Sequence, residues 1–450
     1  MNQESVPSSG YKEELKRVLT LKDLAIYGIA FMTPIAPAYI FGSASQVTGG
    51  TLALAYAVAM IAMLFTAYSY GRMAGAYPIA GSTFSYTQKA ISPNAGFFAG
   101  WAMFMSYVLV PLVVFMVGAA YANALVPAIP YWVWVLIIGT IVVTINFFGV
   151  QIAAKANIVL VAIMGAIVLA FIIICAYAIT QGVGEGTLVS TKPFFKSDVT
   201  LSMVIAGGAI ASFSFLGFDS ITTMAEEAIN PKKDIGKAAI IACLVGGTIF
   251  IVQAYVATLA WPDINSFESA DTALFEVAKL VGGATMASFY TFAVILSTLS
   301  AGITGQSSAA RLLFAMGRDN VIPKKFFTHL HPKYKTPINN IALMCVIAVI
   351  GALTLDISLV TEMMNFGGLF GFMAVNVSVI LLFFFKNKEK KVFKNLILPA
   401  LGFSICFYLW INLSSRALLI GFAWLVIGLI YALIKTKGFK ESIVLSEDAF

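Results

Sequence analysis

The strongest constraint on this chain is the recurrence of apolar runs of about twenty residues, each bounded by short stretches of charge, Pro or Gly. Wound as α-helix at about 1.5 Å per residue, such a run matches the ~30 Å hydrocarbon core of a bilayer. Twelve runs are read in this way. The first six lie near Leu24–Gln46, Leu52–Tyr70, Ala95–Leu125, Tyr131–Phe148, Asn157–Ile179 and Ser202–Thr223. The others lie near Ala238–Trp261, Ala284–Leu313, Ile338–Leu355, Val360–Phe385, Asn395–Asn412 and Leu418–Ile434. The expected fold is therefore an all-α polytopic membrane protein with twelve transmembrane helices.

Composition excludes the alternatives. Of 450 residues, 60% are hydrophobic and 11% charged, against roughly 25% charged in a soluble domain. Disorder, collagen and charged coiled coils need the opposite bias. A polar tail (1–23) and a second one (437–450) flank a membrane body at 24–436, and no soluble domain is left over. The one polar stretch of length, Pro262–Val281, places Ala270, Leu274, Phe275 and Ala278 at helical spacing and is expected to form a surface helix. The N-terminal tail lacks an h-region and cleavage site, so it is expected to stay uncleaved.

Cations fix the expected orientation. With the N-terminus in the cytoplasm, all but four of the 28 Lys and Arg residues fall on the cytoplasmic side, the exceptions being Lys192, Lys196, Lys279 and Arg416. That segregation predicts a multi-pass protein of the cytoplasmic membrane with both termini inside. The net charge of +7 accordingly points to an anionic lipid surface as partner, not to nucleic acid.

Two runs carry helix breakers in their middle. The first contains Thr33-Pro-Ile-Ala-Pro37, and the sixth contains Gly207-Gly208 followed by Ser212-Phe-Ser-Phe-Leu-Gly-Phe-Asp219. In lipid each freed backbone group costs several kcal/mol unless a partner is found. Because runs one and six open successive five-helix sets, the paired breaks are expected to mark inverted repeats, about 24–180 and 200–385, with a midplane site between them and extra helices at about 395–434. Asp219 is the acidic residue read near the interior of a span. It is a counter-ion for a cationic substrate, a proton acceptor, or a carboxylate that bonds freed N–H groups. Glu226 and Glu227 follow near the cytoplasmic edge, as a solvated helix end or as an inner gate and proton relay. Weaker cavity candidates are Ser106 and Tyr107, Gln306 and Ser307, and Asn365 with Gly367 and Gly368.

Other chemistry lacks its residues. Gly236-Lys237 stands without the glycine spacing of a phosphate loop, and His329 and His331 are the only histidines, with no Cys or acidic cluster nearby. No metal, cofactor or enzymatic activity is expected. Cys175, Cys243, Cys345 and Cys406 sit in apolar runs as packing residues.

Four stretches carry a family resemblance: Tyr77–Tyr86 with Gly100-Trp101, Ser212–Pro231, Met316–Pro323 with Thr336-Pro337, and Asn365–Phe372. Through them the chain resembles the amino acid, polyamine and organocation superfamily of secondary transporters, and within it bacterial putrescine importers. The resemblance implies a LeuT-like five-plus-five inverted repeat with discontinuous helices one and six, plus two extra C-terminal helices. It implies alternating access, with substrate held at Thr33, Ile35, Ala36, Phe213, Ser214, Phe215, Gly217 and Asp219, together with Tyr107 and Gln306. Coupling or gating then falls to Asp219, Glu226 or Glu227. Family members that take amino acids hold the carboxylate on a Gly/Ser-rich turn in helix one. Pro34 and Pro37 withdraw donors from that turn here, which favours a diamine such as putrescine, with a proton as co-substrate. The alternative is a zwitterionic amino acid importer or exchanger.

Energetics separate these cargoes. A membrane potential is worth about 2.3 kcal/mol per charge per 100 mV, so a dication gains roughly 4.6 kcal/mol on entry, whereas a zwitterion gains nothing and needs a coupled ion or exchange.

Overall fold

The computed structural model describes residues 17–440, apart from 80–81, 127, 149, 319–320, 335 and 439. Most of both expected tails, Lys12, Lys16 and Lys335 of the charge pattern, and Ala80, Gly81, Asp319 and Asn320 of the family stretches lie outside the described residues.

The described chain is helical. Helix α1 (Leu21–Met32) starts where Thr20 and Asp23 cap each other reciprocally, the Thr20 N–H donating to Asp23 Oδ2 at 2.9 Å. It ends at Thr33, and the run continues as a 3-10 turn (Ala36–Tyr39) and α2 (Phe41–Val47), bent by 65°. Helices α3 (Leu52–Ala76), α4 (Ser82–Ala90), α5 (Pro93–Leu125), α6 (Tyr131–Phe147) and α7 (Val150–Thr180) follow. Helix α8 (Leu201–Ala211) passes through two 3-10 turns, Ser212–Phe215 and Phe218–Met224, before α9 (Pro231–Ala260). After α10 (Ala273–Arg318) come the short α11 (Lys324–Phe327), α12 (Ile338–Thr354), α13 (Ile357–Val379), α14 (Leu398–Ile411) and α15 (Ser415–Lys435). Wider π-helical turns extend α13 (Ile380–Lys386) and precede α14 (Phe393–Ile397).

Among the described residues nine helices are long and apolar enough to cross a membrane, and the bent pair Leu21–Tyr39 with Phe41–Val47 qualifies when taken together. Two further apolar helices, α6 and α12, are 17 residues long, the lower limit for a crossing. The sequence reading thus locates the helices, with two differences. The surface helix expected over Pro262–Val281 starts at Ala273 and joins the next helix with only Gly283 (φ 64°, ψ −165°) turning the backbone between them. The polar helix α4 was not anticipated. The sixth run breaks at Leu216 and Gly217, inside the expected stretch Ser212–Asp219, while Gly207 and Gly208 upstream of it remain in α8.

Helix α5 is the axis of the bundle: 94% of its most apolar stretch is buried, against 22% for α7 and for α15. It packs against α10, α13 and α12, while α3 lies along α9. Gly71 and Gly236 bring α3 and α9 into backbone contact, since a Cβ on Gly71 would stand 2.7 Å from Gly236 Cα. Several helix contacts recur when α1, α3, α5, α6 and α7 are exchanged with α8, α9, α10, α12 and α13: α1 on α9 mirrors α8 on α3, α5 on α13 mirrors α10 on α7, and α5 on α12 mirrors α10 on α6. Helix α15 joins this body through Trp101 and Trp424, whose rings stack at 4.7 Å and whose indole N–H groups each donate to the other's carbonyl at 2.9 Å.

Candidate substrate site

Both breaks are built from removed or redirected backbone hydrogen bonds. Pro34 lacks the N–H that the Ala30 carbonyl would meet in a continuous helix, and the Ser300 hydroxyl from α10 donates to that carbonyl instead, at 3.2 Å. Pro37 likewise withholds the partner of the Thr33 carbonyl, which the Ala36 N–H takes at 3.1 Å. The Pro34 carbonyl turns out of the helix and receives Gln253 Nε2 of α9 at 2.7 Å. Thr33 holds φ 53°, a left-handed conformation rare for a β-branched residue, so the bend is strained and held by its surroundings. In α8 the break falls at Gly217, with φ 118° and no room for a side chain, since a Cβ would lie 2.5 Å from Phe31 Cγ.

A small cavity lies between the breaks. The first run contributes Phe31, Met32, Thr33, Ala36 and Tyr39, and the second contributes Phe213, Ser214 and Leu216. Val110, Val113 and Val114 of α5, Ala301 of α10 and Met364 of α13 close the ring. The wall is largely apolar. Among its polar groups, the Ser214 hydroxyl pairs with Tyr56 at 3.0 Å, the Tyr39 hydroxyl with Ser297, and Thr33 Oγ1 is buried without a hydrogen-bond partner.

Of the residues expected from the sequence, Thr33, Ala36, Phe213 and Ser214 stand on the cavity wall. Asp219, Tyr107 and Gly217 form a bonded group next in sequence to the lining residue Leu216: the Tyr107 hydroxyl donates to Asp219 Oδ2, and the Gly217 N–H donates to Asp219 Oδ1 at 3.2 Å. Ile35 is fully buried but off the wall. Phe215 packs against Tyr56 and Phe250. Gln306 is held between α6 and α12, accepting from Asn146 Nδ2 at 2.9 Å and donating to the Ile341 carbonyl at 3.1 Å. Asn365, one of the weaker candidates, donates to the Ala209 carbonyl at 3.2 Å, and Ser106 to the Met364 carbonyl. The apolar wall residues of α5 and α13 carried no sequence signal, because their composition is that of any buried helix face.

Polar contacts bridge the helices on either side of the cavity. Toward the end that carries residue 17, buried Glu227 pairs with Arg311 at 3.1 Å, Arg311 donates to Ser307 at 2.6 Å, and Tyr27 bonds Ser308 at 3.0 Å. The Val18 and Leu19 N–H groups both donate to the Glu227 carbonyl at 2.9 Å, and the Ile229 N–H returns to the Leu19 carbonyl at 2.9 Å, strapping the N-terminal segment across this end. Glu226 beside it is partly buried. Toward the other end, Tyr39 meets Ser297, and the Tyr121 hydroxyl lies 3.3 Å from both the Ala38 and Asp271 carbonyls.

A cavity between two broken membrane helices, with separate side-chain contacts toward each of its two ends, defines a multi-pass membrane carrier. The amino acid permease family model matches residues 27–446, and the chain belongs to that family. A low-affinity putrescine importer of Escherichia coli is 37% identical over 97% of each chain. A branched-chain amino acid permease of Bacillus subtilis is 25% identical over 97% of each chain, and a methylthioribose transporter of the same organism 26% identical over 96% of each. The protein is a permease for a small molecule, not an enzyme.

Proposed function

We propose that this permease imports a small organic cation, with putrescine as the favoured cargo, by alternating access across the bacterial cytoplasmic membrane and coupled to protons. One observation carries this reading. At each break one of the N–H groups that could hold a substrate carboxylate at the start of a half-helix is withdrawn: Pro37 has none, and the Gly217 N–H is bonded to Asp219. The first half-helices, by contrast, end at the cavity, with Met32, Thr33, Phe213 and Ser214 on its wall. Helix C-termini carry partial negative charge, which suits an ammonium group. Similarity to a putrescine importer over nearly the full length supports the same cargo.

Thr33, Ala36, Phe213 and Ser214 contact the substrate in this reading. Ile35, Phe215, Gly217, Tyr107 and Gln306 shape the site behind them, and Asp219 supplies the negative charge. Asp219, Glu226 and Glu227 serve coupling or gating, with the Glu227–Arg311 pair opening as the inner gate. Twelve crossings arranged as a LeuT-like five-plus-five inverted repeat, two extra helices and cytoplasmic termini complete the proposal. The exchange symmetry of the packing supports the repeat, since an odd number of helices inverts the second copy.

Counterflow of labelled putrescine in proteoliposomes tests the cargo, and an imposed pH gradient at clamped potential tests the coupling ion. Exchange of an amino acid without exchange of putrescine overturns the cation reading and favours the amino acid alternative, which similarity to a branched-chain amino acid permease keeps in view.

A further inference from the structure

The turn between α13 and α14 carries Lys386, Lys388, Lys390, Lys391 and Lys394 within nine residues, with Glu389 as the one acid among them. Glu389 does not neutralise these lysines. Its carboxylate turns back to Arg72 at the end of α3, at 3.2 Å, while the Arg72 guanidinium lies over the Phe383 ring at 4.0 Å. The lysines all remain exposed.

The turn that displays them is built, not slack. The Asn387 N–H reaches back to the Leu382 carbonyl at 2.8 Å and the Glu389 N–H to the Phe383 carbonyl at 2.9 Å, closing the wide turn at the end of α13. Asn395, fully buried, donates to the Glu389 carbonyl at 2.9 Å and so ties the start of the next helix to the same turn. Lys388 takes φ 52°. On either side of Lys386–Lys391 two large apolar side chains are exposed, Phe385 at 59% and, just before Lys394, Phe393 at 62%.

Both flanking helices are long and apolar enough to cross a membrane, so this turn lies at the boundary between hydrocarbon and water. There the outward phenylalanines meet acyl chains and the lysines meet headgroups, where aromatic and cationic groups are each favoured. We propose that residues 385–394 form a binding site for the headgroup of an anionic phospholipid, with the lysines engaging its phosphate and Phe385 and Phe393 seated among its chains. A soluble phosphate compound has no use for the two phenylalanines, whereas a lipid matches both halves of the surface. The proposal is independent of the cargo assigned above.

The test uses the full chain in nanodiscs, with a Phe393→Trp reporter and the unmodified chain to subtract the six native tryptophans. Brominated phosphatidylglycerol should quench the reporter at mole fractions about tenfold lower than brominated phosphatidylcholine, since each lysine near an anionic surface contributes about a fivefold factor and the sites are not fully additive. That preference should vanish in the chain carrying K386Q, K388Q, K390Q, K391Q and K394Q. It should survive when the same five positions become arginine. It should shrink in the milder pair K388Q and K391Q, which keeps the test valid if the fivefold variant does not fold. Equal quenching by the two lipids with all lysines present overturns the proposal. So does loss of the preference on adding inorganic phosphate at constant ionic strength, which would reassign the lysines to a soluble anion.

Discussion

The Tyr107 hydroxyl of α5 donates its proton to the Asp219 carboxylate at the break in α8, and the other carboxylate oxygen accepts from the Gly217 N–H, two residues back in its own chain. One side chain thus lies at the end of a half-helix, fixes a tyrosine on the bundle axis and holds a carboxyl group at 1% exposure beside the cavity. An amide of the same shape separates these roles, since its oxygen still accepts from the Gly217 N–H while its NH2 donates to the Tyr107 hydroxyl instead of accepting from it. Asp219→Asn should raise the half-saturating putrescine concentration about tenfold or more, equivalent to at least ~1.4 kcal/mol. It should also flatten the dependence of uptake on external pH, with expression and thermal midpoint little changed. Uptake assays across pH together with thermal unfolding check this, and unaltered kinetics would confine Asp219 to a structural role.

Two phenylalanines on the same turn should behave oppositely. Phe213 lies on the cavity wall, whereas Phe215 is fully buried among Tyr56 and Phe250. Phe215→Ala should cost about 3–5 kcal/mol of stability through the hole it leaves. Phe213→Ala should shift substrate affinity with a much smaller loss of thermal midpoint. A comparison of melting curves and uptake for the two variants decides the matter.

Pro34→Ala restores a donor for the Ala30 carbonyl that Ser300 now serves at 3.2 Å. The first run should then straighten. We expect a higher thermal midpoint with transport reduced at least about tenfold, the trade expected where strain serves function. Ser300→Ala should instead destabilise by about 1–3 kcal/mol, because it leaves that carbonyl unmet in the bundle. An increase in transport by Pro34→Ala would contradict the role given to the bend.

Glu227→Gln leaves Arg311 without its 3.1 Å partner on a part-buried face. Breaking such a pair costs up to about 3–5 kcal/mol when it is fully buried, and less here because Arg311 keeps some contact with solvent. The closed end should open more often, so a cysteine introduced at Ser308 should react faster with a membrane-impermeant maleimide supplied from the cytoplasmic side. Equal labelling rates with and without the substitution would show that the pair does not hold the gate.

How much of this was legible beforehand differs from element to element. Pro34 and Pro37 announce the first break because proline's missing N–H acts locally, whatever surrounds it. The second break was legible as the polar, glycine-bearing stretch ending in Leu216-Gly217-Phe218-Asp219; within it Leu216 and Gly217 leave the helix, where Phe31 of α1 leaves no room for a Cβ on Gly217, while Gly207 and Gly208 remain helical. Helix α4 was missed because Ser82, Thr83, Ser85 and Thr87 look like a loop in sequence. All four are buried, with Thr83 bonded to Tyr70 at 2.5 Å and Ser82 to Thr222 at 2.8 Å. Their partners sit on other helices, so no local pattern carries the information.

The chain alone determined that this is a bundle of membrane-crossing helices with a fractured first run, since apolar length, cation placement and proline act through bilayer thickness and local backbone chemistry. Tertiary packing decided which side of each fractured run faces the cavity, that Asp219 is bonded to Tyr107 and Gly217 while Gln306 is drawn off between α6 and α12, and that Glu227 meets Arg311. Those outcomes depend on side chains from helices far apart in sequence meeting at distances of a few ångströms, a relation that spacing along one strand of sequence does not encode.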